Sequence, residues 1–325
     1  AKAREAVQLR INEVSLKAAK YAAPDEFSNL IQGIGGEGLN AFTAYDVTCY
    51  MNSFPAYQME RWLTLYADRL TNPVFRSFQA ELENVFEEYN MYLDDNSTHS
   101  RNFIFGKLYE GHAYARDIIG YAEDLKNPKL RKLIDFYNTW YVPNNMALIL
   151  VGDFDIEATK PLIEKTFGKL QARPLPERTK YPTTAFVQDE RYSAKLGYMP
   201  ELYIAYNGVP VGDKDELLLD FLGEILSNSM QIGLLDELTL DNKLMYAGAA
   251  NDVRRDQGRF LVVAVPYMDA ETQTYTSLKE TEKLVNEAIQ QLVSGNITEE
   301  LVEAVRQNFY QEFDRTMEYP EMKVQ

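Results

Sequence analysis

The sequence NPKLRKLIDFYNTWYVPNNMALILVGDFD, residues 127–155, places a helix directly before a strand. Asn127 as the N-cap and Pro128 in the first turn predict where this helix begins. Pro143 and the two asparagines after it break the helical pattern. MALILVG, residues 146–152, is a short apolar run that is typical of a buried strand. This order favours sheets covered by helices over an all-helical or an all-strand protein.

Helix and strand alternate through the whole chain, which predicts an α+β fold with two sheets, each covered by helices. Further helical patterns occur at residues 2–22, 25–34, 57–70, 81–95, 101–110, 155–167, 215–226, 233–240, 272–293 and 299–317, the last with Thr298 as N-cap, and strand patterns at 38–54, 202–209, 245–255 and 259–268. Residues 171–186 contain three prolines and little apolar pattern, which is typical of a linker. We therefore expect a first domain over residues 1–170, a linker over 171–188 and a second domain over 189–325.

The composition bounds the classes of function that the chain can have. With 325 residues, of which 46% are hydrophobic, it can bury a sizeable core. A net charge of -16 argues against nucleic acid as a partner, because phosphates would be repelled, and suits neutral or basic peptides. Cys49 is the only cysteine of the sequence, which excludes a disulfide framework and leaves bacterial periplasm and cytoplasm both open. No apolar run approaches the roughly 20 residues that span a bilayer.

The stretch ELENVFEEYNMYLDD, residues 81–95, is an acidic amphipathic helix. Its apolar stripe is formed by Phe78, Leu82, Val85, Phe86, Tyr89 and Leu93. Glu83 and Glu87 fall on the opposite, solvent side, whereas Glu81 and Glu88 are seven residues apart and share a face that borders the stripe. A carboxylate at that border is expected to be partly desolvated. Its partner can be a basic side chain, a hydrogen-bond donor or a metal ion, and the wheel alone leaves these three open.

Several segments together resemble the M16 metallopeptidases, the pitrilysin or insulinase family, whose members are also called inverzincins. These segments are LNAFTAYDVTCY (39–50), LENVFEEYNMYLDD (82–95), GHAYARDIIG (111–120) with residues 127–155, FLGEILSNSMQIGLLDEL (221–238) and ITEELVEAVRQNF (297–309). The likeness covers nearly the whole chain from Gly35 onward and is strongest between residues 38 and 155. It implies two M16-type α+β domains and a zinc-dependent peptidase.

The resemblance also implies a role for particular residues. Members of the family hold zinc through H-x-x-E-H on one helix and a glutamate on the next, which makes Glu88 the candidate zinc ligand. Glu81 would be the supporting carboxylate that orients the site. Asn40, Ala41, Phe42 and Thr43 match the strand to which an extended peptide substrate adds. Ordinary strand packing of Leu39, Phe42 and Tyr45 is the alternative interpretation of this stretch.

The other half of the zinc site has no counterpart in the sequence. The family spacing leads back to RINEV, residues 10–14, where Glu13 is present but Arg10 and Val14 occupy the two histidine positions. Either this motif is degenerate, or H-x-x-E-H and the general base lie upstream of Ala1; we favour the second, because the surrounding helix has the pattern of a solvated one. His99 is expected in an exposed polar loop, and His112 is expected to cap a loop.

We therefore interpret the chain as part of a zinc-dependent endopeptidase that hydrolyses peptides or unfolded polypeptides, with an incomplete Zn²⁺ site and no catalytic residue of its own. The partners that the resemblance implies are a peptide substrate and either a missing C-terminal M16 half or a second M16 subunit. A non-catalytic M16 paralogue that serves as a scaffold or holds substrate is the alternative. An acidic α+β binding module, unrelated to the family, is a third hypothesis.

Overall fold

The structure is a computed structural model that describes residues 2–21, 23, 25–126 and 129–319. The predicted N-cap Asn127 and first-turn Pro128 lie outside the described residues. The described chain forms two compact units. The first unit is drawn from residues 1–94 and 117–180, and the second from residues 95–116 and 181–319. The bounds of the three predicted segments remain a prediction.

The helices and strands follow one another in the order that the sequence predicts, except that no strand separates α7 from α8 in the described residues. The helices are α1 Lys2–Ala19, α2 Glu26–Gly33, α3 Met59–Thr71, α4 Phe78–Asp94, α5 Asn96–Leu108, α6 Ala122–Leu125, α7 Leu130–Trp140, α8 Ile156–Thr166, α9 Glu216–Leu226, α10 Asp236–Leu240, α11 Leu278–Val293 and α12 Glu299–Glu318. The strands are β1 Glu37–Thr43, β2 Thr48–Ser53, β3 Leu202–Asn207, β4 Leu244–Asp252, β5 Arg259–Pro266, β6 Met268–Asp269 and β7 Thr274–Tyr275.

The core of the first unit lies where α2 and α3 meet the β1–β2 hairpin. Its buried members are Ile31, Ile34, Met59, Trp62, Leu63 and Tyr66. Asn52 on β2 joins the hairpin to α3, because its Oδ1 accepts hydrogen bonds from Trp62 Nε1 at 3.0 Å and from the Tyr66 hydroxyl at 2.8 Å. Phe54 stacks on Trp62 with ring centroids 4.7 Å apart. The amphipathic pattern of α3 thus supplies both the apolar core and the donors that fix β2.

Residues 146–152 do not form the buried strand that their apolar run predicts. Leu148 and Leu150 pack against the core of the first unit, whereas Ile149 is 52% exposed, so the side chains alternate as in a strand. The only backbone hydrogen bond described for this run is from Met146 N to Pro143 O. A strand is defined by its ladder, and no described residue supplies one here. The sequence pattern therefore predicts correctly that the side chains alternate between core and solvent. It is wrong that the segment pairs with a neighbouring strand, since no described residue forms that ladder.

The second unit is built on a three-stranded antiparallel sheet in the order β3-β5-β4. One face of β5 presents Phe260, Val262 and Ala264 to the core formed with α9, α11 and α12. The predicted hairpin of β4 and β5 is confirmed. The predicted N-cap of α12 is also confirmed, since Thr298 Oγ1 accepts from the backbone N–H of Leu301 at 3.1 Å.

The helix predicted at residues 272–293 begins later, at Leu278. Thr274 and Tyr275 pair with β6 instead, so these residues form a short strand. Ser277 then provides the N-cap, because its hydroxyl accepts from the N–H of Glu280 at 3.2 Å. A local pairing therefore takes precedence over the helical pattern in the first six positions.

Candidate functional site

The predicted metal-site carboxylates lie on α4 in the first unit. Both Glu81 and Glu88 are exposed, so the expectation that they are partly desolvated is wrong. The reason is that the apolar stripe beside them is itself only half-buried, with no fully buried residue in α4. Glu81 accepts a long hydrogen bond of 3.5 Å from Asn84 Nδ2, and Glu88 has no hydrogen bond or ion pair with any described residue. Spacing places the two side chains on one face, two turns apart.

The described residues do not make a zinc site by themselves. A catalytic zinc site needs three protein ligands, and no group of three or more His, Cys, Asp or Glu side chains that could hold a metal occurs within residues 2–21, 23, 25–126 and 129–319. Glu88 alone does not fit the ion. The zinc ligand role of Glu88 and the supporting role of Glu81 therefore remain proposals.

The two histidines belong to the second unit and have structural surroundings. His112 is buried, its Nδ1 accepts from the N–H of Tyr114 at 3.1 Å, and its ring lies 4.8 Å from that of Tyr181. The predicted loop-capping role is thus confirmed. His99 is a correction, because it is half-buried on α5 instead of exposed in a loop. Asp95 is the cause, since its carboxylate accepts from the N–H of Ser97 and starts a helix there.

The RINEV motif lies on α1, whose described side chains are almost all exposed. Glu13, the one family-like residue of the motif, forms an exposed ion pair with Lys17 at 2.7 Å. Arg10 and Val14 are also exposed. An exposed pair of this kind contributes little to stability. These contacts agree with the predicted solvated helix.

The predicted substrate strand is the exposed strand β1. Asn40, Ala41, Phe42 and Thr43 are all exposed, with Phe42 at 42%. The hairpin closes with a bond from Ala44 N to Val47 O at 2.8 Å, and residue pairing along β1 continues in that register. Hydrogen-bonded pairs alternate in an antiparallel ladder, so the backbone groups of Ala41 and Thr43 point away from β2. In the described residues this edge of β1 is unpaired.

One side-chain contact already occupies that edge. Asn40 Oδ1 accepts a hydrogen bond from the backbone N–H of Ala41 at 2.8 Å. This contact satisfies a donor that would otherwise face solvent or an added strand. The edge is therefore covered at one position and open at Thr43. Leu39 and Tyr45, on either side of the exposed stretch, are half-buried. The alternative of ordinary strand packing therefore applies to these two residues more than to residues 40–43.

Sequence reasoning missed a buried polar cluster in the second unit. Arg259 is 1% exposed and donates to the carbonyl oxygens of Leu108 at 2.9 Å and Thr184 at 2.5 Å. Asp252 accepts from the Tyr109 hydroxyl at 2.8 Å and from Arg254 Nε at 2.9 Å. The aromatic rings of Phe105, Tyr109 and Tyr114 surround the Arg254 guanidinium. Three arginines in the turn RRDQGR, residues 254–259, were the available signal.

This cluster has perturbed acid–base properties because it is buried. Burial raises the pKa of the Tyr109 phenol, and the nearby Asp252 carboxylate raises it further. Burial likewise lowers the pKa of Arg259. The cluster attaches α5 and the loop after it to the β4–β5 hairpin. Its contacts are those of a structural joint, and Arg259 Nε is buried in it without a hydrogen-bond partner among the described residues.

Comparisons with known proteins agree with this architecture. The sequence model described as "Peptidase M16 inactive domain" matches residues 129–309, and "Insulinase (Peptidase family M16)" matches residues 12–122. "Zinc protease PqqE" of Helicobacter pylori is 23% identical over 321 residues, which are 95% of this chain and 70% of that protein. "Probable zinc protease PqqL" of Escherichia coli is 29% identical over 158 residues, covering 46% of this chain and 17% of that protein. A crystal structure of a protease from Helicobacter pylori superposes with a TM-score of 0.77 at 22% identity, over 92% of this chain and 73% of that one.

Two α+β units, each with an antiparallel sheet and helices, define the class of the protein. The model described as "Peptidase M16 inactive domain" alone covers more than half of the chain. The chain belongs to the M16 peptidase family. The predicted fold class, two M16-type domains of helix and antiparallel sheet, is confirmed. Its relatives carry the name zinc protease, and they extend beyond the aligned residues. Among the described helices, none is both long and apolar enough to cross a bilayer.

Proposed function

We propose that the chain is part of a zinc-dependent endopeptidase that hydrolyses peptides or unfolded polypeptides. It belongs to a family of zinc proteases, and relatives such as PqqE are longer than the aligned chain. The remaining ligands and the general base would come from an H-x-x-E-H motif elsewhere in the longer protein. The 325 residues then supply one metal ligand, a substrate-binding strand and the second M16 domain.

Glu88 is the metal ligand in this proposal, and its place in the E-x6-E pair with Glu81 on one face of α4 is the observation that carries it. An exposed carboxylate with no ion pair is free to coordinate a metal without losing an existing contact. Glu81 lies on the same face of α4, two turns before Glu88, and would orient the site through a hydrogen bond. Glu87 is exposed as well but lies about 100° around α4 from Glu88, on the side opposite the apolar stripe, which makes it a matched control.

The free edge of β1 is the substrate-binding strand. An extended peptide would pair with the outward backbone groups of Ala41 and Thr43 and would displace Asn40 Oδ1 from the N–H of Ala41. Main-chain pairing of this kind is tolerant of side-chain sequence, which suits an enzyme acting on peptides or unfolded polypeptides. The partners are therefore the peptide substrate and a C-terminal M16 half or a second M16 subunit.

A non-catalytic scaffold or substrate-holding subunit is the second candidate. Two observations favour it: Arg10 and Val14 occupy the positions of the motif histidines, and the sequence model matching residues 129–309 is described as an inactive domain. In that function the β1 edge would still hold a peptide, and Glu88 would bind no zinc.

Metal analysis of the complete gene product separates the two candidates. We expect about one zinc per polypeptide in the wild-type protein and peptidase activity that a chelator abolishes. Glu88→Gln should lower zinc affinity by about 10-fold or more and remove activity, because one of three protein ligands is lost. Glu87→Gln should leave both unchanged. Equal zinc content in the two variants would contradict the role of Glu88, and a wild-type protein without zinc would support the scaffold.

A further inference from the structure

The dipeptide Asn207-Gly208, at the end of β3, is the only Asn-Gly pair of the sequence. The backbone nitrogen that follows the asparagine is unshielded in such a pair, because glycine has no side chain. Once deprotonated, this nitrogen can attack the carbonyl carbon of the asparagine side chain and displace ammonia. The pair is therefore the position at which spontaneous deamidation of this chain is chemically easiest.

Close packing of the backbone requires the glycine of this pair. A Cβ atom at residue 208 would lie 2.7 Å from the nitrogen of Arg259 and 2.8 Å from the carbonyl carbon of Gly258. Both are backbone atoms at the start of β5, and moving them would break the pairing of Asn207 with Arg259. The sheet thus requires a dipeptide that is chemically labile.

Separate hydrogen bonds hold the two reacting groups of the pair apart. The N–H of Gly208 donates to the carbonyl oxygen of Gly258 at 3.1 Å. The Asn207 side chain forms two bonds with the backbone of Phe186, since its Oδ1 accepts from the N–H at 2.9 Å and its Nδ2 donates to the carbonyl oxygen at 3.1 Å. The ladder bonds of a strand lie in the plane of its sheet, whereas side chains project out of that plane. The nitrogen and the side-chain carbon therefore cannot meet while both sets of bonds exist.

The two bonds between Asn207 and Phe186, here called the clasp, lie at the surface. Asn207 is exposed, so water reaches it. The same segment is held a second time at Thr184, whose N–H donates to Gln257 Oε1 at 3.0 Å and whose hydroxyl accepts from Gln257 Nε2 at 3.1 Å. Gln257 is 4% exposed and belongs to the turn before β5. A surface segment that depends on so few bonds opens locally, without unfolding of the sheet behind it.

We infer that Asn207 is a deamidation site whose rate is set by the opening of the clasp. When the clasp and the bond from Gly208 are open, the deprotonated nitrogen of Gly208 bonds to Cγ of Asn207, the Cγ–Nδ2 bond breaks, and Nδ2 leaves as ammonia. Water then adds to the cyclic imide and opens one of its two C–N bonds, which gives aspartate or isoaspartate. The product has a carboxylate where the clasp needs the Nδ2 donor, so the segment at Phe186 stays detached from β3. The site depends on neither zinc nor substrate.

The rate of deamidation tests whether the clasp protects the site. The 325-residue chain is incubated folded and in urea at one pH and temperature, and mass spectrometry of its proteolytic peptides gives the deamidated fraction at residue 207. We expect deamidation to be at least about 10-fold slower in the folded chain, because the attack requires a local opening. Equal rates in the two states would overturn the inference.

Two variants of the folded chain test the clasp itself. Gln257→Ala removes both bonds to Thr184 and should raise the folded-state rate about 5-fold. Phe186→Ala leaves the buried turn intact, removes the ring that lies 4.6 Å from the Arg259 guanidinium, and should raise the rate as well. Gln290→Ala, at an exposed position of α11, is the matched control and should not change the rate. Rates in both clasp variants equal to that of the control would overturn the inference.

The consequence of deamidation is measured on the modified chain. Deamidation adds one negative charge, so anion exchange separates the modified chain from the intact one. We expect the amide hydrogen of Phe186 to exchange at least about 10-fold faster in the modified chain, while the central amides of β5 keep their rates. Equal exchange at Phe186 in the two fractions would overturn the release of the segment.

Discussion

Replacing Asn52 by alanine should destabilise the first unit by an amount that its contacts define. The Asn52 amide oxygen is the described acceptor for two buried donors, Trp62 Nε1 at 3.0 Å and the Tyr66 hydroxyl at 2.8 Å. Leaving a buried donor without an acceptor costs about 1–3 kcal/mol. Asn52 is only half-buried, so water can reach part of the vacated space and the cost falls to the low end for each donor. We expect a total loss of about 2–3 kcal/mol.

The two tryptophans of the sequence make this loss measurable in one unit of the protein. Trp62 and Trp140 both lie in the first unit, so urea unfolding followed by tryptophan fluorescence reports that unit and not the second. With a urea dependence of about 2 kcal/mol per molar, the midpoint should fall by roughly 1–1.5 M. Asn72→Ala, which removes an exposed contact with Asp68, should change the stability by less than about 0.5 kcal/mol. Equal midpoints for the Asn52 variant and this control would refute the assignment of Asn52 as the joint between hairpin and helix.

Two further predictions concern the second unit. Arg259→Met should lower its stability by about 3 kcal/mol, because the carbonyl groups of Leu108 and Thr184 lose a buried charged donor; exchange of the β5 amides measures this, and an unchanged rate would contradict it. The paired hydrogen bonds from Arg191 hold the pKa of the Glu282 carboxyl below 4.5, so its contribution to stability is present above pH 4.5 and is lost as the pH falls below that value. Between pH 5 and about 3 the stability of wild type should therefore fall more steeply than that of Glu282→Gln, and parallel curves would contradict the pairing.

Features set by local chemistry could be predicted from the sequence. The β4–β5 hairpin and the cap at Thr298 depend on residues within a few positions of each other, and both were predicted correctly. The shared face of Glu81 and Glu88 follows in the same way from helical spacing. The helical position of His99 also follows from a local signal, because Asp95 is the N-cap of α5 and accepts from the N–H of Ser97.

Features set by distant packing could not be predicted in this way. The exposure of Glu81 and Glu88 depends on what covers α4, and a helical wheel contains no information about that cover. Residues 146–152 have a strand pattern, but a ladder requires a neighbour that no described residue supplies. The buried position of Arg259 depends on Leu108 and Thr184, which lie far away along the chain. For the candidate site, sequence therefore predicted which side chains share a surface and not what surrounds them.

The most direct test of the central claim is the sequence of the gene upstream of the codon for Ala1. If the chain is part of a zinc peptidase, that region encodes H-x-x-E-H on a helix. If no such motif is encoded there, RINEV at residues 10–14 is its remnant. The proposal of a zinc-dependent peptidase would then be contradicted, and the protein would be a non-catalytic M16 subunit.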